Sequence, residues 1–380
     1  MRIGIDAYPL VRQNKAGIGY YAYYMIKYLL EIDSKNEYFL YSNLNDKIEL
    51  SYPNLRFPFI SSNNLINRFS TSWMMVHAKR QLLKDNLDVF WGTQGIIPLN
   101  LPKSIKTIVT NLDMVLYLYP KTMEFLNYFV NKFYFKRSIF RADKIIPISD
   151  TTANDLTDIF KSEEVKKKIE VVYCGVDINK FKITDKAVAL KYISRKFNVA
   201  EHFILFTGTI EPRKNIVGLL EAFKLLKTTH NVSHQLVIVG AKGWQTSQIF
   251  EAYKKLAFKD DEVKILGYVE EKEIAMLYSA ADVFVIPSLY EGFGLTPLEA
   301  MASGTPVVAS DIPIFREILD NSALLVDTLN PNCLAGAIFN VLSNNQLKES
   351  LIYRGFLRCQ NFSWGDSAKK IVKIFEDLAG

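Results

Sequence analysis

Short apolar runs rich in β-branched and aromatic residues alternate with stretches of helical periodicity in the first half of the chain. The apolar runs lie at 3–7, 38–41, 88–91, 107–110, 144–149 and 169–173. Stretches with apolar residues at helical spacing separate most of them, as at 20–30 and 67–83. Strands that are apolar throughout are buried on both faces, which is typical of a parallel sheet covered by helices. The pattern therefore predicts an α/β layer.

The same alternation starts again in the second half, after a polar, helical stretch near 175–200. Predicted strands lie at 202–208, 235–240, 263–267, 282–287, 306–310 and 323–327. Predicted helices lie near 215–228, 271–280 and 297–303. The chain is therefore expected to form two doubly wound, Rossmann-like α/β domains that face each other across a cleft. Ligands of such sheets bind at the carboxyl ends of the strands, near helix N-termini.

Composition excludes several classes of protein. The chain has 380 residues, of which 49% are hydrophobic and 23% charged, which is typical of a soluble globular protein. Its three cysteines have neither disulfide-framework nor zinc spacing, and its four scattered histidines argue against a histidine-built metal site. No apolar run reaches the length of about 18 residues that a membrane span needs, and the first residues lack a signal-peptide pattern. We therefore expect a cytoplasmic protein.

The net charge of +6 lies entirely in the first half of the chain. Residues 1–180 carry 24 Lys and Arg against 18 Asp and Glu, whereas residues 181–380 carry 22 of each. The two halves are therefore expected to meet different partners, and the first half favours an anionic one. No nucleic-acid-binding motif accompanies the charge, so nucleic acid is not an expected partner.

The most informative motif is E-G-F-G-L-T-P-L-E at 291–299, directly after a predicted strand. Gly292 and Gly294 permit a tight loop with exposed backbone N–H groups. A glycine loop that leads into a helix N-terminus binds anions and suits a diphosphate. Thr296 is expected to cap this helix, with Pro297 in its first turn.

Two carboxylates in this motif are candidate ligands for a sugar nucleotide. Glu299, at the predicted third position of the helix, can accept hydrogen bonds from a ribose diol, and Glu291 can accept them from sugar hydroxyls. T-x-x-E is also an ordinary capping box, so a purely structural role is the alternative for Glu299. The flanking glycines and the spacing from Glu291 favour a functional role.

A second strand-to-helix turn, T-G-T-I-E-P-R-K-N at 207–215, carries two adjacent cations. Arg213 and Lys214 lie at a helix start, where the helix dipole disfavours positive side chains. They therefore suit a bound anion, since arginine forks onto phosphate and lysine adds a point charge. Two solvated surface cations are the alternative interpretation, and the preceding Gly208 favours the anion site.

A third turn, A-G-I-G-Y at 16–20, opens the first predicted helix. Gly17 and Gly19 let a ligand approach the backbone closely. Residue 22 is alanine, so the full G-x-G-x-x-G fingerprint is absent. This counts against an oxidoreductase that uses nicotinamide or flavin.

Together these segments resemble the retaining GT-B glycosyltransferases of family 4, among the group 1 glycosyl transferases. The residues of the second-half motifs are most similar to those in bacterial polysaccharide transferases of mannose or 6-deoxyhexoses. The resemblance extends over nearly the whole chain and rests on the segments at 16–20, 207–215, 237–240, 266–269, 287–310 and 323–327.

The resemblance implies a division of labour between the domains. Residues 181–361 bind the nucleotide-sugar donor, and residues 1–180 bind the acceptor together with the C-terminal helix at 362–380. The family retains the anomeric configuration. No D-x-D metal motif lies at a predicted strand end, so we expect catalysis without a metal or any cofactor besides the nucleotide-diphosphate sugar.

The resemblance also implies roles for the motif residues. Arg213 and Lys214 neutralise the donor diphosphate, and Glu299 holds the ribose. Glu291 orients the transferred sugar together with the N–H groups of a loop, which belong to Gly292, Phe293, Gly294 and Leu295. Further donor contacts fall to Gly208, to the backbone of Val269 for the base, and to Gly17 and Gly19 under the phosphate or sugar.

The chain departs from the family at T-I-V-T-N-L-D-M, residues 107–114. Family members usually place a histidine before this aspartate, close to the 6-hydroxyl of the donor sugar, and here the position is Leu112. One hypothesis is a donor sugar that lacks the 6-hydroxyl, as a 6-deoxyhexose does. The alternatives are an alignment that slips by one residue and a buried core leucine. Asp113 can serve simply as a cap for the next helix.

Residues 114–144 combine nine aromatic residues with a net charge of +4. Phe125, Phe129 and Phe133 recur at four-residue spacing on a predicted helix. Cations lie close by, namely Lys132, Lys136, Arg137, Arg141 and Lys144. Such a helix can lie on an anionic membrane surface, and a core-facing stripe with a solvated basic side is the alternative.

The sequence therefore predicts a glycosyltransferase that moves a hexosyl unit to a saccharide acceptor. A lipid-linked acceptor in bacterial surface polysaccharide synthesis, such as O-antigen or capsule, is the expected setting, with the protein on the inner face of the membrane. Two alternatives stay open. One is a sugar-nucleotide epimerase on a similar fold, and the other is a two-lobed sugar-binding protein without catalysis.

Overall fold

The chain folds into two compact units. The computed structural model describes residues 1–11, 17–42, 48, 50–58, 74–120 and 125–380, without the side chains of 76, 77 and 125–127. The first unit consists of Met1–Gly175 with Trp364–Gly380, and the second is Val176–Ser363. The domain limits expected from the sequence are 180 and 362.

The first unit is built on a six-stranded parallel sheet in the order β3-β2-β1-β4-β5-β6. Its strands are β1 Arg2–Asp6, β2 Glu37–Tyr41, β3 Leu55–Arg56, β4 Val89–Gly92, β5 Lys106–Asn111 and β6 Lys144–Pro147. The strand expected at 169–173 is wrong. This segment runs beside β6, with an N–H···O bond from Glu170 to Ile145 of 2.9 Å, but it forms only an isolated bridge.

Helices cover the first sheet. They are α1 Gly17–Ile32, α2 Lys79–Leu82, α3 Val115–Leu118, α4 Phe125–Arg141, α5 Asp150–Phe160 and α6 Glu163–Lys168, with a 3₁₀ turn at Tyr8–Val11 and a π turn at Met74–Ala78. The helix expected at 67–83 lies partly outside the described residues, which begin again at 74.

The C-terminal helix α15 (Trp364–Ala379) packs on α1 inside the first unit. Trp364 stacks on Tyr24 with ring centroids 5.6 Å apart, and Phe375 meets Trp91 edge-on at 6.0 Å. Each large apolar side chain buried in this way contributes roughly 1.5–3 kcal/mol. The last helix of the chain is therefore a core element of the first unit.

The second unit repeats the architecture with a parallel sheet in the order β12-β11-β10-β7-β8-β9. Its strands are β7 Phe203–Thr207, β8 Gln235–Val239, β9 Val263–Gly267, β10 Val283–Ile286, β11 Val307–Ser310 and β12 Leu324–Val326. Its helices are α7 Lys186–Phe197, α8 Ile216–Thr229, α9 Ser247–Lys255, α10 Glu271–Ala280, α11 Leu295–Ala302, α12 Pro313–Leu319, α13 Pro331–Ser343 and α14 Asn345–Cys359. Short 3₁₀ turns lie at Pro212–Lys214 and Asp320–Ser322.

The strand order of the second unit reverses beside β7, which lies between β8 and β10. The turns after β7 and β8 touch at this point. The N–H of Gly208 donates to Val239 O at 2.9 Å, and a Cβ on Gly240 would lie 1.9 Å from Gly208 O. Only glycine fits at residue 240. The carboxyl ends of β7 and β10 therefore form the switch point at which ligands of such sheets bind.

Candidate functional site

The turn after β7 places Arg213 and Lys214 at the carboxyl edge of the second sheet. The chain passes Gly208, forms the short 3₁₀ turn Pro212–Lys214 and enters α8 after Asn215, whose φ is +52°. Arg213 O accepts the N–H of Leu289 at 2.9 Å. This bond joins the turn to the loop that follows β10.

Two half-buried cations and two buried carboxylates form a cluster here. Arg213 Nη1 donates to Tyr290 O at 2.6 Å and to Glu291 Oε2 at 3.1 Å, and its Nη2 donates to Glu211 Oε1 at 2.6 Å. Lys214 Nζ pairs with Glu291 Oε1, which also accepts a hydrogen bond from Ser288 Oγ at 2.8 Å. The cluster brings together three of the residues expected to act in catalysis.

The electrostatics of the cluster favour a fully ionised Glu291. Burial raises the pKa of Glu291, but the charges of Lys214 and Arg213 outweigh it and bring the pKa to about 2. Burial lowers the pKa of Lys214, and this effect exceeds the opposing attraction of Glu291. The N–H groups of both cations point to acceptors that a phosphate could replace.

The glycine loop leads into α11 in a different way from the one expected. The N-cap is Gly294, with φ +96°, and no described side chain caps the helix. The prediction that Thr296 is the cap is wrong, because the helix already begins at Leu295 and Thr296 lies inside its first turn. The first N–H groups of a helix have no intrahelical acceptor, so the loop presents donors at this edge.

Glu299 lies further along α11 and is held by a hydrogen-bonded chain. Tyr278 Oη donates to Glu299 Oε2 at 3.2 Å and lies 2.7 Å from Thr207 Oγ1. Burial, helped by the charge of Glu271, raises the pKa of Glu299 to about 8. Its carboxyl group can therefore lose its proton near neutral pH when a bound ligand donates hydrogen bonds to it.

The other donor-binding candidates of the second unit surround this edge or pack beneath it. Val269 is buried just after β9, and Gly267 before it has φ +71°. Phe293 is also buried, and its ring meets Phe362 edge-on at 5.7 Å. Its side chain is thus a packing group, so only the backbone of Phe293 is available to a ligand. Gly292 is buried in the same loop.

The candidates of the first unit follow α1 and β5. Gly17 is exposed and Gly19 buried in the first turn of α1, while residue 16 of this motif lies outside the described residues. Leu112 is half-buried after β5, so it is not a fully buried core leucine. Asp113 Oδ1 accepts the N–H of Val115 at 3.0 Å, which is a turn contact at the start of α3.

The described residues contain one group with metal-ligand geometry. It lies at the amino ends of β7, β8 and β10, opposite the carboxyl ends where the site lies. His202 Nδ1 and His234 Nε2 lie 3.3 and 3.4 Å from Asp282 Oδ2. The other oxygen of Asp282 is 2.5 Å from Lys186 Nζ and 3.6 Å from Lys348 Nζ. A divalent cation would meet two ammonium groups there, so we interpret the group as an ion-pair cluster.

Three site residues were not singled out from the sequence. Glu211 stands within the 207–215 motif, but its contact with Arg213 depends on side-chain directions. For Ser288, the only signal in the sequence is its position three residues before Glu291, whose carboxylate it contacts in the structure. Tyr278 comes from a separate helix, and nothing in its local sequence points to Glu299.

Comparison with known proteins matches both halves of the chain. Residues 16–180 match the model of Glycosyltransferase Family 4, and residues 193–358 match that of Glycosyl transferases group 1. O-antigen chain mannosyltransferase B of Escherichia coli is 26% identical over 81% of this chain and 80% of its own length. O-antigen chain mannosyltransferase RfbU of Salmonella typhimurium is 32% identical over 56% of each chain.

Solved structures share the fold along the whole chain. Sucrose-phosphate synthase from Thermosynechococcus elongatus superposes with a TM-score of 0.75 at 21% identity, covering 100% of this chain and 99% of that one. Anabaena HepE in complex with UDP-glucose gives 0.74 at 16% identity, covering 99% of this chain and 100% of that one. At these identities the likeness shows the fold alone.

Proposed function

We propose a reaction from the premise that this chain belongs to the group 1 glycosyl transferases, has the GT-B fold and carries a family 4 domain in its first half. It transfers a hexosyl unit, with retention of anomeric configuration, from a nucleotide-diphosphate sugar to a saccharide. The single observation that carries the proposal is the cluster of Arg213, Lys214 and Glu291 at the carboxyl ends of β7 and β10.

The chemistry of the bond that breaks explains the two cations. The anomeric C–O bond to the diphosphate breaks with its electron pair on the leaving oxygen, through an oxocarbenium-like transition state. The negative charge that grows on the leaving group is stabilised by Arg213 and Lys214, whose positions are fixed before the reaction. The acceptor hydroxyl forms the new bond and gives its proton to a phosphate oxygen of the donor. Because two side-chain cations already serve the diphosphate, we propose that no metal is needed.

The donor nucleoside is placed beside α11. Glu299 accepts hydrogen bonds from the ribose diol, and its ionised form is the better acceptor. Glu291 and the loop N–H groups orient the sugar, while the backbone of Val269 meets the base. The acceptor is bound by the first unit.

The transferred sugar has two candidates with different support. The names of the relatives, two O-antigen mannosyltransferases, favour mannose and a role in O-antigen synthesis. Leu112 favours a 6-deoxyhexose, because an apolar side chain leaves a sugar 6-hydroxyl without a partner. GDP-mannose and GDP-rhamnose differ in this hydroxyl, so a comparison of the two donors distinguishes mannose from a 6-deoxyhexose as the transferred sugar.

We also propose a lipid-linked acceptor at an anionic membrane surface, through α4. Phe129 and Phe133 are 53% and 49% exposed, so they do not form the core-facing stripe of the alternative interpretation. The guanidinium of Arg137 lies 4.0 Å above the ring of Phe133, and Lys136 is exposed beside it. Phe125 has no described side chain. Aromatic rings flanked by cations suit the boundary between lipid headgroups and acyl chains.

Two cations of this segment are engaged within the protein. Arg141 Nη1 lies 3.6 Å from Asp143 Oδ2, and Lys144 Nζ lies 3.0 Å from Glu170 Oε2. The surface charge of α4 therefore rests mainly on Lys132, Lys136 and Arg137. No helix in the described part of the chain is long and apolar enough to cross a membrane.

A thermal-shift screen of nucleotide sugars, followed by product analysis, tests the proposed function. A true donor stabilises the folded protein by mass action, by about 2.7 kcal/mol at a hundred times its Kd. The proposal predicts that one nucleotide sugar raises Tm and is consumed only when a saccharide acceptor is present. Conversion of the sugar without an acceptor would show the epimerase, and binding without any turnover would show the sugar-binding protein.

A further inference from the structure

Glu211 is a buried carboxylate that the proposed reaction leaves without a role. It is 1% exposed and directly precedes the 3₁₀ turn Pro212–Lys214, with extended backbone angles of −152° and 157°. Its Oε1 accepts a hydrogen bond from Arg213 Nη2 at 2.6 Å. Burial of a carboxylate is costly unless a cation pairs with it, so the Arg213 contact is a condition for placing Glu211 here.

The contact fixes the orientation of the Arg213 guanidinium. Nη1 is held by Tyr290 O and Glu291 Oε2, both from the loop after β10, while Nη2 is held by Glu211. The group is thus held at both terminal nitrogens. Without Glu211 the guanidinium would lose its Nη2 anchor and could turn about the contacts of Nη1. A planar, rigid fork stabilises a phosphate only when its plane is set correctly.

Glu211 also balances charge in the cluster. Arg213 and Lys214 contribute two positive charges, and Glu211 and Glu291 contribute two negative ones. Arg213 lowers the pKa of Lys214, as burial does, whereas the charges of Glu291 and Glu211 raise it. Glu211 therefore helps Lys214 to remain protonated, although the closer Glu291 has the larger effect.

We propose that Glu211 is a positioning residue for sugar transfer, which holds Nη2 of Arg213 so that the guanidinium faces the donor diphosphate in a single orientation. The inference rests on the proposed function, since it assigns Arg213 to the leaving group. Glu211 itself touches neither donor nor acceptor. Its effect on the reaction passes entirely through Arg213 and Lys214.

The test compares Glu211→Ala, Glu211→Gln and a matched control in the full chain. The control is Glu273→Gln, because Glu273 is also a buried carboxylate, 4% exposed, whose Oε1 lies 2.6 Å from a cation, Lys196. Transfer is measured with GDP-mannose or UDP-glucose, whichever the wild type turns over, as kcat and KM between pH 6.5 and 9.5. Melting temperature is recorded for each variant.

Glutamine keeps an acceptor oxygen for Nη2 but removes the charge. We expect Glu211→Ala to lose at least tenfold in kcat, and Glu211→Gln to stay within about threefold of the wild type. We assign the alkaline limb of kcat/KM to loss of the proton of Lys214. Without the negative charge of Glu211 the pKa of Lys214 falls, so this limb moves to lower pH in Glu211→Gln. Glu273→Gln lowers the melting temperature and leaves kcat and the limb in place. If the alanine variant does not fold, the shift of the limb in Glu211→Gln decides.

Several results would overturn the inference. One is a folded Glu211→Ala variant with kcat within twofold of the wild type, and another is an unmoved alkaline limb in Glu211→Gln. The same limb shift in Glu273→Gln would show a general stability effect. These outcomes need an active wild type, so they differ from failure of the proposed function, in which the wild type itself transfers no sugar.

Discussion

Glu299→Gln is expected to remove a pH dependence from donor binding. The pKa of Glu299 is raised to about 8 by burial and by the charge of Glu271, whereas the hydrogen bond from Tyr278 and the charge of Lys180 lower it. If the ribose diol binds the ionised form, donor affinity rises as pH increases toward 8 and levels off above it. Glutamine does not titrate, so the variant binds the donor more weakly and lacks this rise of affinity with pH.

The size of the effect follows from the ionised fraction. With a pKa of about 8, about nine in ten Glu299 side chains are protonated at pH 7, so binding releases about 0.9 proton there. Affinity is then about tenfold weaker at pH 7 than at pH 9. The free energy of unfolding changes with pH in the opposite direction. In the folded state the pKa of Glu299 lies above its ordinary value of 4.5, so the contribution of Glu299 to the free energy of unfolding is lost as pH rises from 4.5 toward 8.

Isothermal titration calorimetry measures both quantities. GDP and UDP are titrated into the protein between pH 6.5 and 9.0 in buffers of different ionisation enthalpy, which gives the proton count. Glu273→Gln serves as the matched buried carboxylate outside the site. A wild type that binds a nucleotide without proton release at pH 7, or a Glu299→Gln variant that keeps the wild-type pH profile, would show that Glu299 does not bind the ribose in its ionised form.

Three further predictions address the cluster, the sugar and the membrane surface. Lys214→Met keeps the length of the side chain but removes its charge, and kcat at saturating donor should fall by about 10²–10³; a loss below threefold would remove Lys214 from the mechanism. Leu112→His should shift kcat/KM toward GDP-mannose over GDP-rhamnose by about tenfold, and an unchanged ratio would separate residue 112 from the sugar. The double substitution Phe129→Ser and Phe133→Ser should abolish sedimentation with vesicles that contain phosphatidylglycerol. Val188→Ser, which replaces a side chain 59% exposed in the second unit, should leave sedimentation unchanged. Equal sedimentation of all variants would contradict membrane binding through α4.

Much of the second sheet could be predicted because its strands are buried on both faces. Runs such as 202–208 and 235–240 carry hydrophobic residues without alternation, and the structure has β7 and β8 there. The right-handed crossovers of parallel sheets limit the possible topologies, but the order of the strands is seen only in the structure. The run at 169–173 is also rich in β-branched and aromatic residues, yet it lies at the edge beyond β6 and forms only a bridge.

The candidate site could be predicted only where one short segment carries both the turn and the chemical group. Arg213 and Lys214 satisfy this condition, and the structure joins them to Glu291. The cap of α11 could not be predicted from Thr296, because Gly294 adopts a left-handed backbone that starts the helix two residues earlier. Tyr278 is separated from Glu299 by 21 residues, and only the packing of α10 against α11 brings their side chains together.

A crystal structure with the nucleoside diphosphate of the donor would show whether Arg213, Lys214 and Glu299 bind the nucleotide. We expect phosphate oxygens within hydrogen-bond distance of Arg213 and Lys214, and ribose hydroxyls within that distance of Glu299. A diphosphate bound elsewhere, with the pairs of Arg213 and Lys214 to Glu291 unchanged, would contradict this expectation.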